Sequence, residues 1–412
     1  MKNFFKRSLC LNLLLLLMVL TGCQDNKNKD TNKDQAKDEK NITISDSLKW
    51  SERMALSEMK RYPEAWQIDD AEKPKWDYVH GLVLTAFEKL NEQTGDKKYN
   101  DYIKDYADLL IDSTGTIATY KLDDYNIDMI NAGKILFDLY EDTKDEKYFK
   151  AMQMLRKQIE GQPRTKSGGF WHKKRYPNQM WLDGLYMGAP FYTHYTVKFE
   201  EGKNLDDIAK QFENIQKHAL DKKTGLLYHG WDESKEQKWA DKKTGTSPNF
   251  WSRSMGWYAM ALVDVLDYFP ENHPKRQELI SYLNNLAEAI VKVQHESGLW
   301  YQVLNMGDRE GNYLEASGTA MFAYSLAKGV NKGYLPQKYM EAANKAFDGM
   351  TRDLILVDDD GEITITQACA VAGLGGDPYR DGSYEYYINE RKKNNDPKAT
   401  GPFILAALEL NK

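Results

Sequence analysis

Five short triplets in this 412-residue chain end in a residue that can do acid–base or ionic chemistry, and each opens an apolar run of helical character. They are Tyr78-Val79-His80, Asn126-Ile127-Asp128, Trp181-Leu182-Asp183, Trp251-Ser252-Arg253 and Tyr313-Leu314-Glu315. Two carboxylic acids at helix starts can share proton-transfer work when their surroundings push their pKa values apart. Asp183 is the sharper of the two, because Trp181 and Tyr186 flank it and Trp171 and Met180 are close in sequence. A helix N-terminus lowers an aspartate pKa, while burial and a neighbouring Asp128 carboxylate raise it. If burial and like charge win, Asp183 is protonated near neutral pH and acts as a general acid, with Asp128 its ionised partner. Spacing alone leaves a plainer alternative, two N-cap aspartates that each serve their own helix.

Arg253 fits that alternative badly, since a cation at a helix N-terminus opposes the dipole. Lys173, His172 and His229 fall in turns or helix starts of the same kind. The chain has 56 Lys+Arg against 62 Asp+Glu, a net charge of −6, so an anionic substrate would need such local cations to hold it. A guanidinium suits a carboxylate bidentately. Six of the ten tryptophans lie between Trp171 and Trp257, where their faces could stack on sugar rings or pack in the core. His194, His218, His273 and His295 have no evident partner, and no HExxH, CxxC, EF-hand loop or phosphate-cradling glycine motif occurs.

The elements that must position these residues follow from the spacing. The third positions lie 48, 55, 70 and 62 residues apart, and a weaker sixth candidate, Gln367-Ala368-Cys369, follows 54 residues later. Each interval suits one helical hairpin with its loops. The runs that the triplets open are apolar on most faces, as helices buried all round should be. Charged amphipathic stretches such as 145–158 and 274–293 lie between them. Gly-aromatic segments recur at 167–172, 224–229 and 297–301 and read as tight turns with short extended pieces. The expected fold is all-α, an (α/α)6 toroid with short β-hairpin pieces in the loops. His80, Asp128, Asp183, Arg253 and Glu315 would then ring one end of it.

The acidic balance argues against a nucleic-acid binder with a broad basic surface. Three cysteines, Cys10, Cys23 and Cys369, cannot build a disulfide framework. Lys2, Lys6 and Arg7 precede an apolar run from Leu9 to Leu20 that ends Leu20-Thr21-Gly22-Cys23. Residues 1–22 therefore read as an export signal. The ending resembles the bacterial lipobox, which implies a lipidated Cys23 as the new N-terminus. Cleavage would leave 390 residues and, with three cations lost, a net charge of −9. Residues 23–46 are expected to form a polar, disordered tether and 47–412 a single catalytic domain. The expected location is a membrane-anchored lipoprotein, periplasmic or at the cell surface, touching the membrane through Cys23 only.

Six segments carry a wider resemblance: 168–192 (GGFWHKKRYPNQMWLDGLYMGAPFY), 224–234 (TGLLYHGWDES), 247–267 (SPNFWSRSMGWYAMALVDVLD), 298–305 (GLWYQVLN), 311–317 (GNYLEAS) and 372–387 (AGLGGDPYRDGSYEYY). Together they resemble the unsaturated rhamnogalacturonyl hydrolases of glycoside hydrolase family 105, related to the family 88 unsaturated glucuronyl hydrolases. The resemblance implies an (α/α)6 barrel acting on the anionic oligosaccharides left by pectin lyases, with no metal or organic cofactor. It makes Asp183 the general acid/base and Asp128 the second essential carboxylate. His172, Lys173, Trp181, His229, Trp251 and Arg253 would line the sugar pocket, while His80 enters that set on the repeat argument alone. Open alternatives are a hydrolase for unsaturated glucuronyl units of glycosaminoglycan, ulvan or similar polysaccharides, and a glycan-binding lipoprotein without catalysis.

Overall fold

Outer and inner helices alternate along the chain. The computed structural model describes residues 44–412, so the expected signal and Cys23 lie outside the described residues. Outer helix α1 (Trp50–Arg61) is followed by inner α2 (Tyr78–Thr94) and outer α3 (Lys97–Leu110). The second inner element is a 3-10 segment, Ile127–Ile135, running into α4 (Leu136–Thr143), and outer α5 (Glu146–Gly161) follows. Then come inner α6 (Leu182–Phe199), outer α7 (Leu205–His218), inner α8 (Ser252–Leu266) and outer α9 (Arg276–Lys292). Inner α10 (Ala316–Asn331), outer α11 (Tyr339–Asp353), the short α12 (Tyr384–Asn389) and inner α13 (Pro397–Leu410) complete the order. Each inner element packs on the next, α13 closes on α2, and α1 backs α13, so six hairpins make the toroid.

Composition decides which helices go inside. All residues of α8 except Asp264 are buried, whereas α3 buries one stripe, Tyr99, Tyr102, Ile103, Tyr106, Ala107 and Leu110, at helical spacing. Glycine lets the inner backbones approach: a Cβ on Gly81 would lie 2.4 Å from Cα of Ala132, and one on Gly318 2.7 Å from Cβ of Ser252. Ile44, within the expected tether, is buried against the body. Among the described residues no helix is long and apolar enough to cross a membrane.

The Gly-aromatic segments have a definite job. The first N–H of each inner helix has no partner of its own in the helix. Ile127 N–H donates to the carbonyl of His172 (3.2 Å), Leu182 to His229 (3.1 Å), Ser252 to Gln302 (3.0 Å) and Ala316 to Gln367 (3.2 Å). Four of the six inner helix starts are thus tied to the extended piece that precedes the next inner helix, while α2 and α13 are capped by Asp77 and Asp396. Short antiparallel pairs lie in the same loops: β1 (Gln179–Trp181) with β2 (Gly230–Asp232), and β3 (Trp300–Tyr301) with β4 (Leu314–Glu315). Two further pairs are β5 (Ile355–Val357) with β6 (Ile363–Ile365) and β7 (Ala368–Cys369) with β8 (Lys392–Lys393).

That pattern corrects the sixth repeat. Gln367 belongs to the series of tying carbonyls, and Ala368–Cys369 is strand β7 rather than a helix opening. The sixth inner helix begins at Pro397, after an excursion that includes α12, and Asp396 caps it by accepting from Lys398 N–H at 3.0 Å. An aspartate N-cap followed by proline at the first helical position is a start signal readable in sequence.

Candidate active site

The starts of the inner helices face a cleft of about 220 Å³. Asp128, His172, Lys173, Trp181, Asp183, Trp251 and Arg253, all expected there, line it together. Five cationic residues, Lys173, Arg175, Arg253, Arg380 and Lys398, share it with two carboxylates. Within a chain of net charge −6, this is a local inversion of sign suited to an anion.

Asp128 sits in the first turn of the 3-10 segment, where Asn126 caps by accepting its N–H at 3.2 Å. Lys173 Nζ lies 2.5 Å from Oδ2, and His172 Nε2 lies 3.3 Å from Oδ1. Burial pushes the Asp128 carboxyl up, but the charges of Lys173, of His172 in acid where its ring is protonated, and of Arg175 outweigh it and hold the group below the usual aspartate value. Burial pushes His172 down to about 4, so its ring is neutral at pH 7. Trp181 packs face to face with His172 (centroids 4.5 Å apart) and with Tyr176 (5.1 Å).

Asp183 lies in the first turn of α6, its side chain 13 % exposed to the cleft. Its Oδ2 faces Nε2 of His229 at 3.3 Å, and His229 Nδ1 lies 2.7 Å from the hydroxyl of Tyr387. His229 therefore stands behind Asp183 instead of lining the cleft.

Arg253 lies over the Trp251 ring, 4.8 Å from its centroid. Its Nη1 donates to the carbonyl of Cys369 and to Ser317 Oγ (3.2 Å). Trp251 in turn stacks on Tyr387 and donates from Nε1 to Gln302 at 3.0 Å. Glu315 is fully occupied as the cap of α10. Its oxygens accept from Ser317 N–H (3.0 Å), Gly318 N–H (2.7 Å), Ser317 Oγ (2.7 Å) and Cys369 N–H (2.9 Å).

His80 does not reach the cleft. It is fully buried on the α2 side, stacked on Tyr106 with its Nε2 3.1 Å from the Trp66 carbonyl. Its ring turns into the hairpin interior because position 80 of α2 faces α3, so the triplet rule alone misplaced it. The sequence reading also missed Tyr78, Arg175, Tyr176, Arg380 and Lys398 in the cleft and Tyr387 behind it. Arg380 and Tyr387 lie within the 372–387 segment, and Lys398 follows the Asp396-Pro397 start signal. Among the described residues, the grouping of acidic side chains close enough to share an ion is Glu88, Glu92 and Asp138, none of which lines the cleft.

Fold and site together define a six-hairpin glycosidase. Residues 50–412 match Glycosyl Hydrolase Family 88, and the chain belongs to that family. It is similar to a glycoside hydrolase from family 105 of C. acetobutylicum, 49% identical with a TM-score of 0.85 over 88% of this chain and 99% of that one. The unsaturated rhamnogalacturonyl hydrolase YesR of Bacillus subtilis is 25% identical over 75% of this chain and 84% of its own length. Protein Atu3128 of Agrobacterium fabrum is 36% identical over 54% of this chain and 97% of its own length. The protein is therefore a glycoside hydrolase, and the reading as a binding protein without catalysis is set aside.

Proposed function

We propose that this enzyme removes a 4,5-unsaturated uronic acid from the non-reducing end of lyase-made oligosaccharides, with unsaturated galacturonyl-rhamnose as its substrate. The observation that carries this reading is the cationic cleft around Asp183 and Asp128. The likeness to YesR, an unsaturated rhamnogalacturonyl hydrolase, supports the choice of sugar.

In the proposed reaction the Asp183 carboxyl gives its proton to C4 of the C4=C5 double bond. Water adds at C5 and returns a proton to the same carboxylate, so one residue serves as acid and base. The C5 hemiketal opens to a ketone, leaving a hemiacetal at C1 that expels the second sugar as an alcohol. One water is consumed, and because the bond to the second sugar is lost by rearrangement, the separation rule for paired carboxylates does not govern the outcome. Arg253, Lys173 and Lys398 offset the substrate carboxylate, and ionised Asp128 accepts sugar hydroxyls.

The conjugated double bond absorbs in the ultraviolet, so hydration is read as lost absorbance. The purified enzyme is to be given unsaturated galacturonyl-rhamnose and unsaturated glucuronyl disaccharides in parallel. Loss with the first is expected; loss with glucuronyl substrates alone moves the substrate and keeps the mechanism, and loss with neither overturns the reading. Export and lipid attachment at Cys23 complete the proposal. Labelled fatty acid should enter the wild-type chain in a bacterial host and be absent from Cys23→Ser.

A further inference from the structure

Tyr387 and His229 are 158 residues apart in sequence, yet their side chains meet in a fully buried contact, hydroxyl to Nδ1 at 2.7 Å. The opposite ring nitrogen of His229 faces Oδ2 of Asp183 at 3.3 Å, and neither of those two buried atoms has a hydrogen-bond partner. We infer that Tyr387 is a positioning residue: it donates to Nδ1 of His229, fixes the ring proton on Nε2, and so aims an N–H at the Asp183 carboxyl. This rests on the reading of Asp183 as the acid/base.

Two arrangements of the hydroxyl contact are conceivable. If Nδ1 carried the proton and donated to Tyr387, the phenol proton would lack an acceptor in a buried site, which is strongly unfavourable. The Nε2 lone pair would also point at the carboxylate of Asp183. With the phenol as donor, every proton has an acceptor, and Nε2–H meets the carboxylate. Burial drives the Tyr387 pKa well above its ordinary value, so the phenol keeps its proton throughout the working pH range.

The consequence is chemical. An Nδ1 that accepts the phenol hydrogen bond cannot take a proton without giving up that bond, so the ring is held in one orientation behind Asp183. It also holds one carboxyl oxygen, Oδ2, leaving Oδ1 for the reacting atoms. The contact tightens when substrate excludes water, as catalytic hydrogen bonds commonly do. Other groups that can influence Asp183 are His172, whose own titration its charge affects, and Asp128, Lys173, Arg253 and Lys398 across the cleft.

The test uses the full chain with 15N-labelled histidine and the ultraviolet assay on whichever unsaturated disaccharide is turned over. The wild-type His229 signal should show the proton on Nε2, and Tyr387→Phe should mix the two tautomers. In that variant kcat should fall about tenfold, KM should stay within about twofold, and the limb of the pH profile that belongs to Asp183 should move. Wild-type protonation on Nδ1, or a Tyr387→Phe pH profile matching wild type, overturns the inference. The wild-type spectrum decides it even if the variant does not fold. Asp183→Asn is the separate control: a folded, active Asp183→Asn removes the acid/base reading itself.

Discussion

Lys173 Nζ sits 2.5 Å from Oδ2 of Asp128, and the side chains are only 13 % and 10 % exposed. The pair sets the charge of the cleft floor. Burial alone would favour a neutral carboxyl at Asp128, and Lys173 supplies the largest opposing charge. The two carboxylates of the site therefore differ in surroundings: Asp128 is held by a cation, while Asp183 meets a histidine backed by a buried phenol.

Replacing Lys173 with Met should release that hold. The Asp128 pKa should rise, since burial remains and the nearest cation is gone, and KM should increase about tenfold with the acidic limb of the pH profile displaced upward. Steady-state kinetics across pH with the unsaturated disaccharide would check this; an unchanged limb would show that Lys173 contacts substrate without tuning Asp128.

Stability should fall as pH drops from 6.5 toward 4, and His172 is a stated cause. Burial lowers its pKa from 6.5 to about 4, so the unfolded chain binds more protons than the folded one between those values. The stabilisation is full above pH 6.5 and lost as pH falls to the folded value, on the order of 3 kcal/mol in total. Urea unfolding should give a shallower pH slope in His172→Gln over this window. Equal slopes in the two proteins would assign the acid sensitivity elsewhere. Asp128, also lowered, acts in the same direction at still lower pH.

Much of the fold was legible because the buried helices carry apolar runs opened by triplets that end in a charged or titratable residue, four of them starting with an aromatic, and five of those openings hold in the structure. The sixth did not, because residues 370–396 separate strand β7 from helix α13 and the repeat loses its spacing there. His80 shares the triplet position of Asp183 but turns into its own hairpin, which a one-dimensional pattern does not encode. Tyr387 and Lys398 reach the site from the far end of the chain, so only the closed ring brings them to Asp183 and Asp128.

Arg253→Ala should weaken substrate binding, and the structure adds a second effect. The guanidinium is buried and supports the Cys369 carbonyl and Ser317, so truncation leaves buried polar groups unpaired and a void beside Trp251. A stability loss of about 2–4 kcal/mol is expected. Below the melting range, KM should rise more than kcat falls, whereas reduced kcat at constant KM would place Arg253 in the transition state instead.

Glu315 tests whether a ring of polar residues at helix starts means chemistry at each of them. Its two oxygens accept from α10 backbone, Ser317 and the Cys369 N–H, joining the start of one inner helix to strand β7. Glutamine in its place keeps the shape but turns an NH2 toward donors, whichever way the amide is set. Glu315→Gln should therefore cost about 3 kcal/mol, from a lost charged acceptor and a weakened helix cap. Glu315 does not line the cleft, so at temperatures where the variant is folded its kcat/KM should stay within about tenfold of wild type. Thermal unfolding and the ultraviolet assay on the same preparation separate the two roles. A variant that melts like wild type and turns over nothing would return Glu315 to the catalytic set.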